Sequence, residues 1–274
     1  MIASILQWWL LSSLIAYSAV PLGWRLFSRL PDRGFGFSRA LGLMIASYLL
    51  WLGASLRWIP NSLGGAAFSW IVLLLVSAYL TRKHLAELKT WIVEKWRLLV
   101  TMEVLFFLAF TLWSFVRANN PEIIGTEKPM ELAFLNSILR SEQFPPLDPW
   151  LSNHAISYYY SGFVQLAYLT RLSGVGAGVA FNLGNALWFA MSIVSVYALL
   201  YNLLALARGT TGILAPLLAP LFTLISGNLE GFLEVLHARH IFWRMDSAGG
   251  LASSFWGWLN IKDLSAAPAP DPAW

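Results

Sequence analysis

The chain runs to 274 residues, of which 58% are hydrophobic and only 12% charged, against roughly 25% charged in soluble domains. This composition, with a mean hydropathy of +0.62, excludes an ordinary soluble domain and fits an all-α, polytopic transmembrane helical bundle. The net charge of +4 does not point to nucleic acid, because the basic residues flank apolar runs instead of forming a basic face, and the lack of cysteine rules out disulfides and thiolate metal sites.

Ile2–Leu22 has no basic stretch ahead of its apolar core and is followed by Arg25 and Arg29, so it reads as a retained first span, not a cleaved leader. Further apolar runs at Arg39–Trp58, Leu63–Leu80, Arg97–Val116, Ala180–Ala207 and Gly212–Ser226 bring the expectation to about six spans, the last short and interrupted by Pro216 and Pro220. Arg25, Arg29, Arg33 and Arg39 fill the first connection and Arg82, Lys83, Lys89, Lys95 and Arg97 the third, whereas the second holds only Arg57. By the positive-inside rule the first and third connections are cytoplasmic, and the fourth span delivers the loop after it to the external face. The protein is therefore expected to be integral and multi-pass in the plasma membrane, in contact with membrane lipid. Glu103, about two turns inside the fourth span, is an intramembrane carboxylate whose expected partner is Arg97 or a neighbouring helix.

The segment Asn119–Phe163, within a larger external loop over 119–179, gathers acids, Lys128, His154, paired prolines and three consecutive tyrosines at one membrane face. Thr126 is expected to cap a helix with Pro129 in its first turn. Met130, Ala133, Phe134, Ser137 and Ile138 then recur at helical spacing, giving an amphipathic surface helix to about Arg140 that Gln143-Phe144-Pro145-Pro146 ends. Glu127 and Glu131 share a face of it, with Lys128 one turn from Glu131: a solvated helix start with acids against the dipole, or a general base beside a phosphate-binding cation. Asp148-Pro149-Trp150 reads as a turn with an interfacial Trp or as part of a site. His154 has no second histidine in the loop to complete a metal pair. Tyr158, Tyr159 and Tyr160 suit an aromatic belt, yet three adjacent residues point in different directions around a helix, so one hydroxyl is expected to face a pocket. Ser157–Gly174 is apolar but short and reads as an interfacial or re-entrant helix, with a full span, which would invert everything after it, as the alternative. On the interfacial reading the segment after Ser226, with Asn228, Glu230 and Glu234, emerges beside the first loop. The tail to AAPAPDPAW has loop composition, and the chain reads as C-terminally incomplete.

GTEKPMELAFLNSILRS (Gly125–Ser141), FPPLDPW (Phe144–Trp150) and ISYYYSGF (Ile156–Phe163), in this order with short spacers, resemble the uncharacterised multi-span membrane proteins named for a Tyr-Tyr-Tyr signature. Weaker likeness continues through VAFNLGNALWF (Val179–Phe189) and SGNLEG (Ser226–Gly231), so it covers roughly Lys95 to the end. It implies a division into accessory helices 1–94 and a module 95–274. That family is similar in layout to the GT-C glycosyltransferases, which take a sugar from a polyprenyl-phosphate carrier on the external face. The resemblance implies Glu127, Glu131 and Asp148 as catalytic candidates. Lys128, Arg140, Trp150, His154, Tyr158, Tyr159 and Tyr160 become candidates for binding the donor. Position 131 is Glu where related sequences often carry Asp, and the resemblance leads one to expect a further His-containing external motif downstream of Trp274. A divalent metal would suit a departing phosphate, but no ligand cluster stands out and the cofactor is left open. A transporter or lipid flippase, and a non-catalytic assembly subunit, remain as alternatives.

Overall fold

The computed structural model describes residues 2–209, 211–226, 229–247, 250–261 and 264–266, with Glu230 by its backbone alone; it divides into two compact units, Met1–Ala219 and Pro220–Trp274. The first is built from α1 (Ile2–Leu26), α2 (Ser38–Ser55), α3 (Leu63–Thr81), α4 (Leu85–Asn119), α5 (Lys128–Arg140), α6 (Ser161–Ser173) and α7 (Ala177–Arg208). Among the described residues four helical stretches are long and apolar enough to cross a membrane: Ile2–Leu26, Phe35–Ser55, Leu63–Asn119 and Ala177–Arg208. The third folds back on itself at the Arg82–His84 turn. Along α1 from its N-terminus, Ser4 and Ile5 line one recess with Ser114 and Arg117 of α4, Ser18 accepts from Trp70 of α3, and the Leu22 N–H donates to Ser77 of α3. Thus α3 runs parallel to α1 and α4 antiparallel, giving, with α2 and α7, five passes among the described residues.

Small residues allow the close packing that substitutes for a hydrophobic drive within lipid. A Cβ at Gly42 of α2 would come within 2.7 Å of the Ile15 carbonyl of α1, so the α1–α2 crossing requires glycine there. The turn between these helices is tied to α7 by Asp32, which is fully buried. Its carboxylate accepts from the Gly34 and Gly36 N–H groups and from Asn202 Nδ2 at 2.7 Å, while its own N–H donates to Asn202 Oδ1. Every polar group of this knot therefore finds a partner away from water.

Arg39 departs from the expected cytoplasmic connection. It lies in α2, only 6% exposed, and forks onto Glu103 of α4 with Nη1–Oε1 at 3.1 Å and Nη2–Oε2 at 2.5 Å. Ser13 of α1 accepts a further bond at 2.9 Å, and the guanidinium stacks over Phe106 at 3.7 Å. Of the two partners expected for Glu103, Arg97 or a neighbouring helix, the neighbouring helix is the one that supplies the cation. The sequence alone places Arg39 at a span boundary because the hydropathy window ends at a charge, whereas pairing allows the charge to sit deeper.

One further expectation is revised. Gly212–Ser226 does not form a continuous span: the apolar helix there is Ala215–Ile225, passing from a 3₁₀ turn to a π turn around Pro216 and Pro220, which cannot donate to the helical ladder. Lys95, the expected start of the second module, lies within α4, and the chain divides into its two compact units between Ala219 and Pro220. Helix α6 has 13 residues, too few to cross.

In the second unit a helix at Glu230–Ala238 precedes a two-residue antiparallel pair, Arg244–Met245 with Leu251–Ala252, and a helix at Ser254–Leu259 that Ser253 caps. Trp256 is fully buried and donates to the Ile241 carbonyl at 2.9 Å. The expectations on Asn228, the Glu230 side chain and most of the AAPAPDPAW tail lie outside the described residues.

Removing one member of the Arg39–Glu103 pair leaves the other charge without compensation. Arg39→Met or Glu103→Leu is expected to destabilise the detergent-solubilised protein by about 3 kcal/mol, and the double replacement to recover much of that loss. Thermal unfolding of the three variants checks this; strictly additive losses would contradict the coupling.

Candidate functional site

Helix α5 begins at Lys128, with Pro129 in its first turn, and ends at Arg140, where the sequence spacing put its end. Thr126 does not cap it. Gly125 and Thr126 both adopt left-handed conformations, φ 77° and 47°, and Glu127 occupies the cap position without a side-chain bond to the helix. The buried face is Phe134, Leu135 and Ile138. What fixes the helix on the bundle is its C-terminus. Asn61, between α2 and α3, donates through Nδ2 to the Ile138 and Ser141 carbonyls, both at 2.8 Å, and its N–H donates to the Glu142 carbonyl. Arg171 of α6 donates to the Leu139 carbonyl at 2.8 Å and to Asn61 Oδ1 at 3.2 Å. The carbonyls a helix leaves unpaired at its end, and the negative end of its dipole, thus receive an amide and a cation from two other elements.

The next segment folds as a small hairpin. Leu147 bridges Ala155, the Asp148 N–H donates to the His154 carbonyl, and Asp148 Oδ1 accepts from the Trp150 and Leu151 N–H groups at 2.8 and 2.9 Å. Asp148 is a turn former first, with one carboxylate oxygen already engaged. Ser137 donates to the Leu147 carbonyl, fastening the hairpin to α5. Trp150, Tyr158 and Phe163 surround the buried Phe134 ring with centroids at 5.9, 5.6 and 5.9 Å. His154 is exposed, its Nδ1 at 2.9 Å from the Ser152 carbonyl.

The three tyrosines divide their tasks. Tyr160 is structural: its hydroxyl accepts from Trp51 of α2 at 3.1 Å, and its ring stacks on Phe144. Tyr158 donates to the Tyr159 hydroxyl at 2.7 Å, their rings stacked at 4.0 Å. That hydrogen bond, then desolvation and the negative field of Tyr159, Glu127 and Glu131, pushes the Tyr158 phenol up to about 12. Tyr158 therefore stays a protonated donor near neutrality.

The ten expected site residues do not meet in one cavity; six of them are distributed over three recesses. Glu131 and Tyr159 line a recess of 270 Å³ with Ser161, Phe163, Phe181, Asn185 and Trp188. Tyr158, Tyr159 and Tyr160 border a groove of 460 Å³ against Met44, Ser47, Tyr48 and Trp51 of α2. Arg140 and Asp148 line a third, 690 Å³, with Asn136, Ser137 and Glu142. Tyr159, shared by the first two, is 76% exposed and forms the wall between them. Glu127, Lys128, Trp150 and His154 border none of these three; Lys128 lies one helical turn before Glu131. Among the described residues no three His, Asp or Glu side chains gather as a metal would need. Sequence reasoning passed over Asn61, Arg171, Asn185 and Trp188 as site or clamp residues. The last two belong to VAFNLGNALWF, an apolar run in which two asparagines were the available signal.

A family model described as an uncharacterized membrane protein (DUF2298) matches residues 45–260, beginning inside α2 and well upstream of Lys95. No curated protein and no solved structure matches the chain.

Because Asn61 and Arg171 together hold the end of α5, Arg171→Ala is expected to cost about 1–3 kcal/mol locally. It should raise amide exchange across residues 128–140 while leaving exchange in α4 and α7 unchanged. Unaltered protection of α5 in this variant would show that its apolar face alone holds it.

Proposed function

The chain belongs to the DUF2298 family of uncharacterized membrane proteins, and we propose that it acts as a GT-C-type glycosyltransferase. In this reading it takes a sugar from a polyprenyl-phosphate donor at the membrane face bearing residues 119–179. The observation that carries the reading is the recess where Glu131, on a helix clamped at its far end, faces Tyr159, Phe163, Phe181, Asn185 and Trp188. A carboxylate among aromatic rings and amide or hydroxyl donors is what sugar recognition needs: ring faces stack on C–H groups, and polar groups fix the hydroxyls.

Glu131 takes the acceptor hydroxyl proton as the acceptor oxygen bonds to the anomeric carbon. The bond from that carbon to the phosphate oxygen breaks, and its electron pair leaves with the lipid phosphate. Lys128, one turn away, supplies positive charge for that phosphate. The neighbouring groove suits the prenyl chain, since Met44 and Tyr48 of the membrane-spanning α2 are about half exposed, 51% and 54%, along its side. No step is assigned to a metal, because the described residues do not form a ligand set. A transporter would need ionisable groups free to change partners near the midplane, and the forked Arg39–Glu103 pair is poorly suited to that.

On the protein reconstituted in liposomes with polyprenyl-phosphate-linked sugars, Glu131→Gln is expected to lower turnover by roughly 10²–10⁴-fold with donor binding unchanged. Lys128→Ala is expected to weaken donor binding as well, because the phosphate is charged before reaction. Wild-type transfer by Glu131→Gln, or no donor consumption by the wild type, would overturn the reading.

A further inference from the structure

A fourth recess, of 270 Å³, lies where the N-terminus of α1 meets the C-terminal end of α4 and the first turns of α7. Ile5, Ser114, Arg117, Ala118, Val179 and Asn182 are among its lining residues. At about 100° per residue, the α7 side chains bordering it (Val179, Asn182, Leu183) point away from those bordering the Glu131 recess (Phe181, Gly184, Asn185, Trp188). The two recesses therefore occupy opposite faces of one helix, and a ligand in the fourth is independent of the transferase reading.

The charge in this recess is held in place but not neutralised. Arg117 Nε and Nη2 donate to Asn182 Oδ1 at 2.9 and 2.6 Å, and Nη2 reaches the Glu122 carbonyl at 3.4 Å. Asn182 is itself fixed, its Nδ2 donating to the Pro121 and Gly178 carbonyls at 3.0 and 3.1 Å. Among the described residues no carboxylate lies within ion-pair distance of Arg117. The part-buried Arg117 guanidinium is oriented by a neutral amide and has no counter-ion among the described residues, whereas Arg39 is compensated by the Glu103 carboxylate. Arg117 Nη1 makes no hydrogen bond among the described residues. A second, independent feature is Ser114: it borders the same recess, is 4% exposed, and its hydroxyl has no hydrogen-bond partner among the described residues. A buried orphan hydroxyl beside an uncompensated cation lacks an acceptor. The positive end of the α7 dipole adds to the same field, since Val179 lies in the first turn.

We propose that this recess binds a phosphate group, accepting from Arg117 and Ser114, and that the phosphate belongs to the headgroup of an anionic membrane lipid. The apolar part of the lining, Ile5, Ala118, Val179 and Leu183, sits at the ends of membrane-spanning helices, where it meets the first carbons of lipid chains. A soluble phosphate shares the polar contacts but gains nothing from this rim.

Native mass spectrometry of the full chain released from nanodiscs containing equal phosphatidylglycerol and phosphatidylcholine tests the site, with inorganic phosphate added in a parallel arm. The wild type is expected to retain phosphatidylglycerol preferentially. Arg117→Gln should reduce that retention about tenfold, as loss of one charge-assisted hydrogen bond implies. Arg117→Gln also disturbs the α4–α7 tie, so Ala118→Leu, which fills the recess and leaves Arg117 and Asn182 in place, should reduce retention comparably. Equal retention of the two lipids by the wild type, or unchanged retention in both variants, overturns the proposal. Displacement by millimolar inorganic phosphate with no preference between lipids would assign the contacts to soluble phosphate and overturn the headgroup assignment.

Discussion

A charged pair placed in the hydrocarbon layer has few ways to be satisfied, and the rest of this bundle is arranged around one. Arg39 of α2 and Glu103 of α4, with Ser13 of α1 as a third partner, set the relative depth of three helices at once. A slip of one turn on any of them would strand an ion in lipid, a far larger penalty than the loss of a few van der Waals contacts. Depth fixed in the middle is transmitted to the ends because helices are stiff. At the end of α2, Trp51 is brought to the Tyr160 hydroxyl; at the end of α4, Arg117 is brought to Asn182 of α7. At the opposite end of the bundle the Asp32–Asn202 knot sets α7 against the α1–α2 turn.

The loop over 119–179 inherits its order from that scaffold. Its apolar content is modest, and an amphipathic helix of 13 residues is marginal alone. Asn61 and Arg171 convert it into part of the fold by satisfying its terminal carbonyls, and the Phe134 aromatic cluster then seats the hairpin and the tyrosines. Polar side chains from the bundle's own connections, not a large core, decide where Glu131 points.

Helix class, the long apolar passes and the α5 boundaries were legible in the sequence because each rests on local pattern: hydropathy over a span, helical spacing from Met130 to Ile138, Pro129 in the first turn. The depth of Arg39 was not, because it depends on a partner 64 positions away. The failure of Gly212–Ser226 to form a span was foreshadowed by Pro216 and Pro220. The candidate site was legible in its chemistry but not in its grouping. Glu131 and Tyr159 do share a recess, yet Asp148 and Arg140 belong to another, since the Asp148 turn and the Asn61 clamp steer that end of the loop elsewhere. Asn185 and Trp188 were hidden in an apolar run, where periodicity reports a lipid-facing or buried helix and is silent about which residues a distant loop will cover.

The proposed sugar transfer would require the loop to be folded back so that Glu131 faces α7 through one particular side. The absence of native cysteines makes this directly measurable by paired replacement in intact membranes, followed by a short bis-maleimide. Glu131→Cys combined with Asn185→Cys should cross-link efficiently, and Glu131→Cys combined with Val179→Cys, on the opposite side of α7, should not. Equal cross-linking of both pairs, or cross-linking through Val179→Cys alone, would contradict the arrangement on which the site depends.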